Sequence, residues 1–359
     1  VGMSSKPAKV ITLKEVAARS GLSLATVSYA LRGHAKIPPE TRRQVTMVAD
    51  ALGYRPNPRI ASLMAHIRRA RGPSAGERIA FVWVHTPREE TRHDPFLQEV
   101  VAGARQRAEQ LGYHIEEFWT EQTGMTDHRL STILKSRGIT GVVFSPVMHE
   151  VTVTLNFDWS AFACAVIGHA RWNPELHHAG HHHYHAMHAT LEELRKAGYR
   201  RPAVILNPEA NERGRRAWQA AFLAFHPLPR QAPALLLPDL PADATALRQW
   251  LARQRPDVLI LHRSRMIRQI EAWLPTSGAP QLCALHWSED LGDMPGIDQR
   301  FDLVAANAMD LVVSQLIANE TGVPEVPRVT LFPGQWIPGG KRPEPAPRDR
   351  RAAAIARRT

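Results

Sequence analysis

Histidines crowd one short stretch of this 359-residue chain, and their spacing suggests a metal site. The segment from His177 to His188 contains seven histidines. If residues 181–188 form a helix, His181, His185 and His188 share one face, and imidazole suits zinc, nickel or copper. However, no cysteine lies nearby and no carboxylate completes the set, and histidine-rich tracts are only compositional hints. We therefore predict no metal site, with metal sensing as an alternative.

Other chemistry-bearing residues do not form an enzyme signature. The chain has no G-x-x-x-x-G-K-[ST] phosphate loop, no H-E-x-x-H and no G-x-G-x-x-G. Its two cysteines, Cys164 and Cys283, stand in apolar stretches, which indicates buried reduced thiols rather than a disulfide or a nucleophile. We predict a protein without enzymatic activity and without a cofactor.

Hydroxyl and acidic side chains near the N-terminus have the spacing of helix caps. Thr12 and Glu15 form a capping box, so a helix should start at Leu13, and Gly21 should turn the chain after it. Ser23 then caps a second helix from Leu24 to Leu31. A third helix should begin at residues 38–40, since proline suits a first turn, and stop at Gly53. Two short helices joined by a turn are typical of a unit that places a helix in the major groove of DNA, although a surface helical hairpin has the same pattern.

Positive charge is concentrated in this same N-terminal part. Residues 1–72 hold 13 of the basic residues and only 3 acidic ones, whereas residues 73–340 carry a net charge of −4. Such a localised basic head is the electrostatic footprint of nucleic-acid binding. A membrane partner is not expected, because the head lacks the apolar face of interfacial helices, no apolar run approaches bilayer length, and the N-terminus has no apolar signal core.

From Val10 to Leu63 the chain resembles, without a gap, the lac repressor/purine repressor family of bacterial transcription regulators. The resemblance implies a homodimer that binds pseudo-palindromic operator DNA and responds to a small-molecule effector, in the cytoplasm and associated with the nucleoid. It also implies roles for individual residues. Base-reading positions are Leu24, Ala25 and Tyr29. Phosphate-binding positions are Thr12, Ser23, Thr26, Ser28, Thr41, Tyr54 and Asn57. A short hinge helix capped by Asn57 would insert Leu63, with Met64 beside it, into the minor groove.

The remaining chain alternates buried strands with amphipathic helices, twice over. This rhythm predicts βαβ units and two Rossmann-like subdomains with a cleft between them. The body is similar to the periplasmic-binding-protein-like domain of the same family. We therefore predict an α/β protein with an all-α helix-turn-helix head and a hinge helix. The predicted boundaries are a head at 10–56, a hinge and linker at 57–72, a body at 77–340 (one subdomain at 77–178 and 298–328, the other at 179–297 and 329–340) and a basic disordered tail at 341–359.

Departures from the family pattern suggest an unusual effector. Gly214 stands where sugar-binding members usually have Arg, and no acidic residue follows the later strand that ends near Leu261. Arginines nearby could face an acidic or aromatic ligand instead. The predicted effector-binding residues are His85, Phe96, Ser145, Arg213, Arg215, Arg263, Arg265 and Trp287. The alternatives are a small-ligand or metal-sensing module without operator control and, more distantly, an orphaned enzyme of the same fold.

Overall fold

A computed structural model describes residues 11–31, 37–54, 77–262, 264–275 and 278–340. The predicted hinge helix with Asn57, Leu63 and Met64, the residue Arg263 and the tail at 341–359 lie outside these ranges. The body begins at Glu77 with its first strand.

The head is a three-helix unit. Its helices are α1 (Leu13–Ser20), α2 (Leu24–Leu31) and α3 (Pro39–Leu52). The bounds of α1 and α2 are those predicted, and Gly21 adopts a left-handed conformation with φ of 68°. Helical spacing predicts that Leu13, Val16, Ala17 and Ala18 lie on the inner side of α1, but Ala18 is exposed. The buried residues form one small core: Val16, Ala17, Val27, Ala30, Val45 and Ala49.

The body contains fourteen strands within the described ranges, most of them in two six-stranded sheets. The strands are β1 (Glu77–Trp83), β2 (Tyr113–Trp119), β3 (Gly141–Phe144), β4 (Thr152–Thr154), β5 (Ala163–Ile167), β6 (Arg171–Asn173), β7 (His177–His181), β8 (Pro202–Ile205), β9 (Leu236–Leu237), β10 (Val258–Leu261), β11 (Gln281–Ala284), β12 (Gly296–Asp298), β13 (Val329–Phe332) and β14 (Gln335–Ile337). The first sheet has the order β13-β7-β5-β3-β1-β2 and the second β14-β12-β11-β10-β8-β9. Neighbouring strands are parallel except for β12 with β14, and β4 pairs with β6 in a separate ribbon.

Helices flank the two sheets, as the alternation of elements predicted. They are α4 (Arg88–His93), α5 (Pro95–Leu111), α6 (Asp127–Ser136), α7 (His183–Lys196), α8 (Pro208–Arg213), α9 (Ala217–Phe225), α10 (Ala244–Gln254), α11 (Ser264–Trp273) and α12 (Phe301–Ala318). Apolar residues of both faces of the first sheet are buried, and so are those of the second, which gives the α/β layering expected of parallel sheets.

The strand pairing corrects two predicted subdomain limits. His177–His181 forms β7 of the first sheet, so the first crossing to the second subdomain comes after His181 rather than after residue 178. Val329–Phe332, which we assigned to the second subdomain, forms β13 and pairs in parallel with β7. The chain thus crosses between the sheets three times, at about residues 182, 299 and 333. The sequence did not reveal this because an edge strand of four residues has no distinctive pattern.

One helix corrects the expectation that no apolar run could span a bilayer. By length and composition alone, α12 is long and apolar enough to do so. In the structure, however, Val304, Ala308 and Val312 are fully buried in the core between α5 and the first sheet. We therefore interpret α12 as a core helix. Both cysteines are free and buried, as predicted, and burial raises the pKa of each thiol.

Candidate functional site

The predicted DNA-contacting residues of the head lie mainly at helix ends. At the start of α1, the Thr12 backbone N–H donates to the Glu15 carboxylate at 2.7 Å. At the start of α2, the Thr26 backbone N–H donates to the Ser23 hydroxyl oxygen at 3.0 Å. Thr41 lies in the first turn of α3, and Tyr54 follows that helix. Hydroxyl groups at exposed helix starts are typical phosphate ligands.

The base-reading positions lie on α2. Tyr29 is exposed, with 43% of its surface accessible. Leu24, Ala25 and Ser28 are residues of the same helix, but their side chains lie outside what the structure describes. Nine of the 13 basic residues of the head and linker also fall in the undescribed ranges. The described head therefore contributes helix-end hydroxyls, whereas most of the predicted charge belongs to the flanking segments.

One concave site of the body is a cleft between the two sheets, with about 470 Å³ of space between protein atoms. Most of its lining residues follow the carboxyl ends of parallel strands, where α/β proteins commonly bind ligands. The lining residues are Phe96, Pro146, Val147, Met148, Gly168, His169, His183, Ala210, Arg213, Trp218, His262, His286, Gln299 and Phe301. None of these described lining residues is Asp or Glu.

A row of four rings forms one wall of the cleft. The ring centroids of His169 and His183 are 4.2 Å apart, those of His183 and Trp218 are 3.8 Å apart, and those of Trp218 and His262 are 4.4 Å apart. His169 belongs to the first subdomain, and Trp218 and His262 belong to the second. The row therefore joins the two subdomains at the place where the chain first crosses between them.

Gly214 explains why this wall can form. A Cβ atom at this position would come within 2.7 Å of Cδ2 of His183. Any larger residue would push the imidazole out of the row, since this distance is shorter than ordinary contact. The arginine of the preceding position, Arg213, lines the cleft instead and is only 6% exposed. The departure from the family pattern at Gly214 is thus coupled to the histidine wall.

Two buried polar atoms of the wall have no hydrogen-bonding partner among the described protein atoms. They are Nδ1 of His183 and Nε1 of Trp218, on side chains that are 7% and 3% exposed. A buried unpaired donor or acceptor costs about 1–3 kcal/mol. Native proteins rarely leave such groups unsatisfied, and clusters of them commonly mark sites that bind something. The cleft therefore has the character of a binding site.

Three histidines at the cleft, His169, His181 and His183, are uncharged near neutral pH. Burial lowers the pKa of His169 to about 4, opposed by the hydrogen bond between its Nε2 and the His181 carbonyl oxygen at 2.7 Å. Burial also lowers the pKa of His181 and His183 well below the ordinary value, and the neighbouring histidines add to the effect. Among the described lining residues, Arg213 is the permanently charged one.

A second aromatic group also lines the cleft. Phe96 packs edge-on against Phe301 with centroids 4.7 Å apart and against His286 at 5.2 Å. Asp94 positions Phe96, because its carboxylate accepts the Phe96 backbone N–H at 2.8 Å and caps α5. Gln299 donates from its amide to the Leu285 carbonyl oxygen at 2.6 Å, which ties the second crossing to the second sheet.

Of the eight predicted effector-binding residues, Phe96 and Arg213 line the cleft. His85 instead forms a pair with Glu150 at 2.6 Å, and Ser145 is buried and accepts the Val84 backbone N–H at 3.1 Å. Arg215 is exposed and forms an ion pair with Glu175 at 3.9 Å. The others outside the described lining are Arg265, which is exposed, and Trp287, which is half-buried.

Sequence reasoning missed His169, His183, Trp218, His286, Gln299 and Phe301 as cleft residues. The common signal was their place after strands β5, β7, β11 and β12, but Trp218 lies on a helix and had only the spacing of a core residue. His183 was hidden within the histidine-rich segment. That segment is not the helix required by the metal hypothesis, because His181 ends β7 and α7 begins at His183. Among the described residues, no group of three or more ligand-type side chains could hold a metal ion.

Comparison with known proteins agrees with this architecture. Residues 12–57 match the family described as bacterial regulatory proteins, lacI family. The HTH-type transcriptional regulator DegA of Bacillus subtilis (strain 168) is 25% identical over 134 residues, which cover 37% of this chain and 36% of DegA. The alignment thus spans little more than a third of that relative.

Two solved structures share the fold. A LacI-family regulator from Rhizobium etli covers 74% of this chain and 99% of its own at a TM-score of 0.56 and 15% identity. The transcriptional regulator CelR, in complex with cellobiose, covers 91% of this chain and 98% of its own at a TM-score of 0.50 and 19% identity. The head thus matches the lacI family model over residues 12–57, and the body shares its fold with solved transcription regulators.

Proposed function

We propose that this protein is a cytoplasmic, nucleoid-associated transcription regulator, most simply a repressor, whose affinity for operator DNA is set by a small molecule in the cleft. The observation that carries the proposal is the pairing of a capped helix-turn-helix head with a cleft in which Nδ1 of His183 and Nε1 of Trp218 have no hydrogen-bonding partner among the described protein atoms. The transcriptional regulator CelR shares the fold, and its structure is a complex with cellobiose, which supports a small-molecule effector for this protein.

The head would bind as part of a homodimer to a pseudo-palindromic operator. Thr12, Ser23, Thr26, Ser28, Thr41, Tyr54 and Asn57 would contact phosphates, which fix register without reading sequence. Leu24 and Ala25 cannot hydrogen-bond to base edges, so they would read apolar features such as thymine methyl groups, with Tyr29 making polar contact. Leu63, next to Met64, would insert into the central minor groove and bend the duplex.

Effector binding would act on DNA affinity through the two subdomains. Ion pairs already join them at the cleft, because Arg171 of the first subdomain contacts Glu212 of the second at 2.7 Å and Arg215 contacts Glu175. A ligand held by both walls would stabilise one relative orientation of the subdomains. That orientation would set the spacing of the two heads in the dimer and so couple the two sites. The effector would present an acidic group to Arg213.

The proposal is tested by selecting binding sites for the full-length protein from random duplex DNA. We expect enrichment of a two-fold symmetric sequence, with affinity that falls steeply as salt rises. Substitution of both Leu24 and Ala25 should change the preferred bases, whereas Met47→Ala, at an exposed position on α3, should not. A protein that binds DNA without sequence preference would instead be a ligand-binding module without operator control.

The hinge prediction has its own measurement. Leu63→Ala should leave the protein folded and dimeric but weaken operator binding and reduce DNA bending, as measured by electrophoretic mobility of permuted fragments. If the variant bends DNA as much as the unsubstituted protein does, the prediction that Leu63 inserts into the minor groove is wrong.

A further inference from the structure

Two imidazoles meet at the boundary between the subdomains. His169 follows β5 in the first subdomain, His183 begins α7 in the second, and their ring centroids are 4.2 Å apart. Each ring lies against a glycine of its own subdomain. A Cβ atom on Gly180 would come within 2.8 Å of Cε1 of His169, and one on Gly214 within 2.7 Å of Cδ2 of His183. Because both rings are held this closely, a movement of one subdomain relative to the other must change the contact between them.

Both rings make their contacts in the uncharged form. His169 donates from Nε2 to the His181 carbonyl oxygen at 2.7 Å, so its neutral ring carries the proton on Nε2. A protonated His183 would have an N–H at each ring nitrogen, and Nδ1 has no hydrogen-bonding partner among the described protein atoms. His183 is only 7% exposed, and a buried charge without a partner is costly.

The surroundings of the pair offer little to stabilise a positive charge. The titratable and charged groups that face the two rings or line the same cleft are the imidazoles of His178, His181, His182, His262 and His286 and the guanidinium groups of Arg213 and Arg215. None of the described lining residues is Asp or Glu. The carboxylate of Glu175 faces Arg215 at 3.9 Å, and that of Glu212 faces Arg171 at 2.7 Å.

One neighbour favours the charged form. The Trp218 ring lies with its centroid 3.8 Å from that of His183, and an aromatic face attracts a cation. Burial and the neighbouring histidines outweigh this attraction, because they lower the pKa of His183 well below the ordinary value. Burial likewise lowers the pKa of His169 to about 4.

We propose that the His169–His183 pair is a proton-sensitive contact between the subdomains, closed while both rings are neutral and separated when either ring is protonated. Separation lets water reach the rings, so acid favours the arrangement with the wider cleft. The proposal concerns the body alone and does not depend on operator binding.

The pH range of the change follows from linkage. Each ring has a lowered pKa when the pair is closed and a pKa near 6.5 when exposed, so the closed arrangement is fully stable above about pH 6.5 and loses stability as the pH falls toward 4. Between pH 7.5 and pH 5.5, the ratio of open to closed molecules should rise about tenfold for each ring that becomes exposed.

The test measures the distance between the subdomains in the full-length protein. Spin labels are attached to Glu121→Cys and Glu209→Cys, at exposed positions that follow β2 and β8. These strands lie toward the sheet edges opposite the chain crossings, so opening should move the labels furthest apart. Cys164 and Cys283 are buried and should not be labelled.

Labelled protein is diluted into an excess of unlabelled protein, so that electron–electron resonance reports a distance within one chain. We expect the ratio of long to short distances to rise about tenfold or more from pH 7.5 to pH 5.5, while far-UV circular dichroism stays unchanged. An unchanged distance distribution in the folded protein at pH 5.5 overturns the proposal.

Two variants assign the response to the pair. His183→Phe keeps a ring beside Trp218 but cannot titrate, and His169→Gln keeps an N–H for the His181 carbonyl oxygen. Each should reduce the response about tenfold, and the double variant should change the ratio less than twofold over the same pH range. If the double variant does not fold, the single variants decide: the full response in a folded single variant refutes the proposal.

Two controls exclude other titrating groups. His149→Gln, at an exposed position of the first subdomain, should keep the full response. Glu212→Gln should keep it as well, because Arg216 and Arg171 lower the pKa of Glu212, so that this carboxylate stays charged between pH 7.5 and pH 5.5. Loss of the response in either control would assign it to that residue and overturn the role of the pair.

Discussion

The head and the body bury very different cores. In the head, the buried apolar residues within the described ranges are alanines and valines, six in all. The body buries large rings completely, among them Trp83, Phe81 and Phe144. Because hydrophobic stabilisation scales with buried apolar area, the head is stabilised far less than the body. The body is therefore stable enough to retain a cleft with unpaired buried polar atoms. In the head, each helix cap and each small apolar contact contributes a large share of the total stability.

The largest effect should follow from damage to the core of the body. Phe144→Ala removes a fully buried ring that packs against Phe157 and Trp172, with centroids 5.7 and 5.0 Å away. We expect the free energy of unfolding of the body to fall by about 4 kcal/mol. All nine tryptophans lie between Trp83 and Trp336, so tryptophan fluorescence during urea unfolding reports on the body alone.

The control for this variant is Ile317→Ala, at a position that is 44% exposed on α12. It should lower the urea midpoint only slightly. If both variants shift the midpoint equally, buried area does not account for the stability of the body.

A smaller loss in free energy should have a larger functional consequence in the head. Val27→Ala removes two methyl groups from a fully buried position of α2 and should cost about 2 kcal/mol. For so small a core this is a large share, so operator affinity should fall while tryptophan fluorescence and the urea midpoint of the body remain unchanged. A lower urea midpoint of the body in this variant would contradict the independence of the two regions.

Acidification should act on the body through its neutral histidines. The pKa of His169 is about 4 in the folded protein and near 6.5 when unfolded, so the unfolded chain binds more protons between these values. Stability is therefore complete above about pH 6.5 and is lost as the pH falls, by about 2 kcal/mol at pH 5 from this residue alone. His169→Gln, which keeps an N–H for the His181 carbonyl oxygen, should flatten the pH dependence of urea unfolding between pH 5 and pH 7.

His149→Gln serves as the matched control, because His149 is exposed in the same subdomain. It should leave the pH dependence unchanged. The same slope in the His169 and His149 variants would show that His169 is not the group responsible.

The smallest expected effect concerns the first helix cap. Thr12→Ala should lower the stability of the head by about 1 kcal/mol, because it removes the hydroxyl that donates to the Glu15 carboxylate at 3.2 Å at the start of α1. Circular dichroism of an isolated head would report the effect of the truncation together with the effect of the substitution. The better measure is therefore the operator affinity of the full chain at rising temperature. Thr46→Ala, on the exposed side of α3, should have no such effect.

The two regions also differ in how much of their structure could be predicted from the sequence. Caps and turns act within three or four residues, so the bounds of α1 and α2 could be predicted from Thr12, Gly21 and Ser23. The cleft is assembled from segments that lie as far apart as Phe96 and Phe301. Arg213 could be predicted there, but the ring row of His183 and Trp218 depends on the crossing after β7 and on the space left at Gly214, and neither has a local signature.

The pairing of β13 with β7 also sets the order in which the protein can assemble during its synthesis. About 150 residues separate the two strands in the chain, and they include most of the second sheet. At ordinary translation speeds, β7 therefore waits on the order of ten seconds for its neighbour, and the core helix α12 also emerges late. During that interval the edge of the first sheet and the apolar surface that α12 will cover are open to other chains. We expect strands β8 to β12 of the second subdomain to pair on the ribosome before the first sheet is complete, and the first subdomain to be the part that chaperones protect.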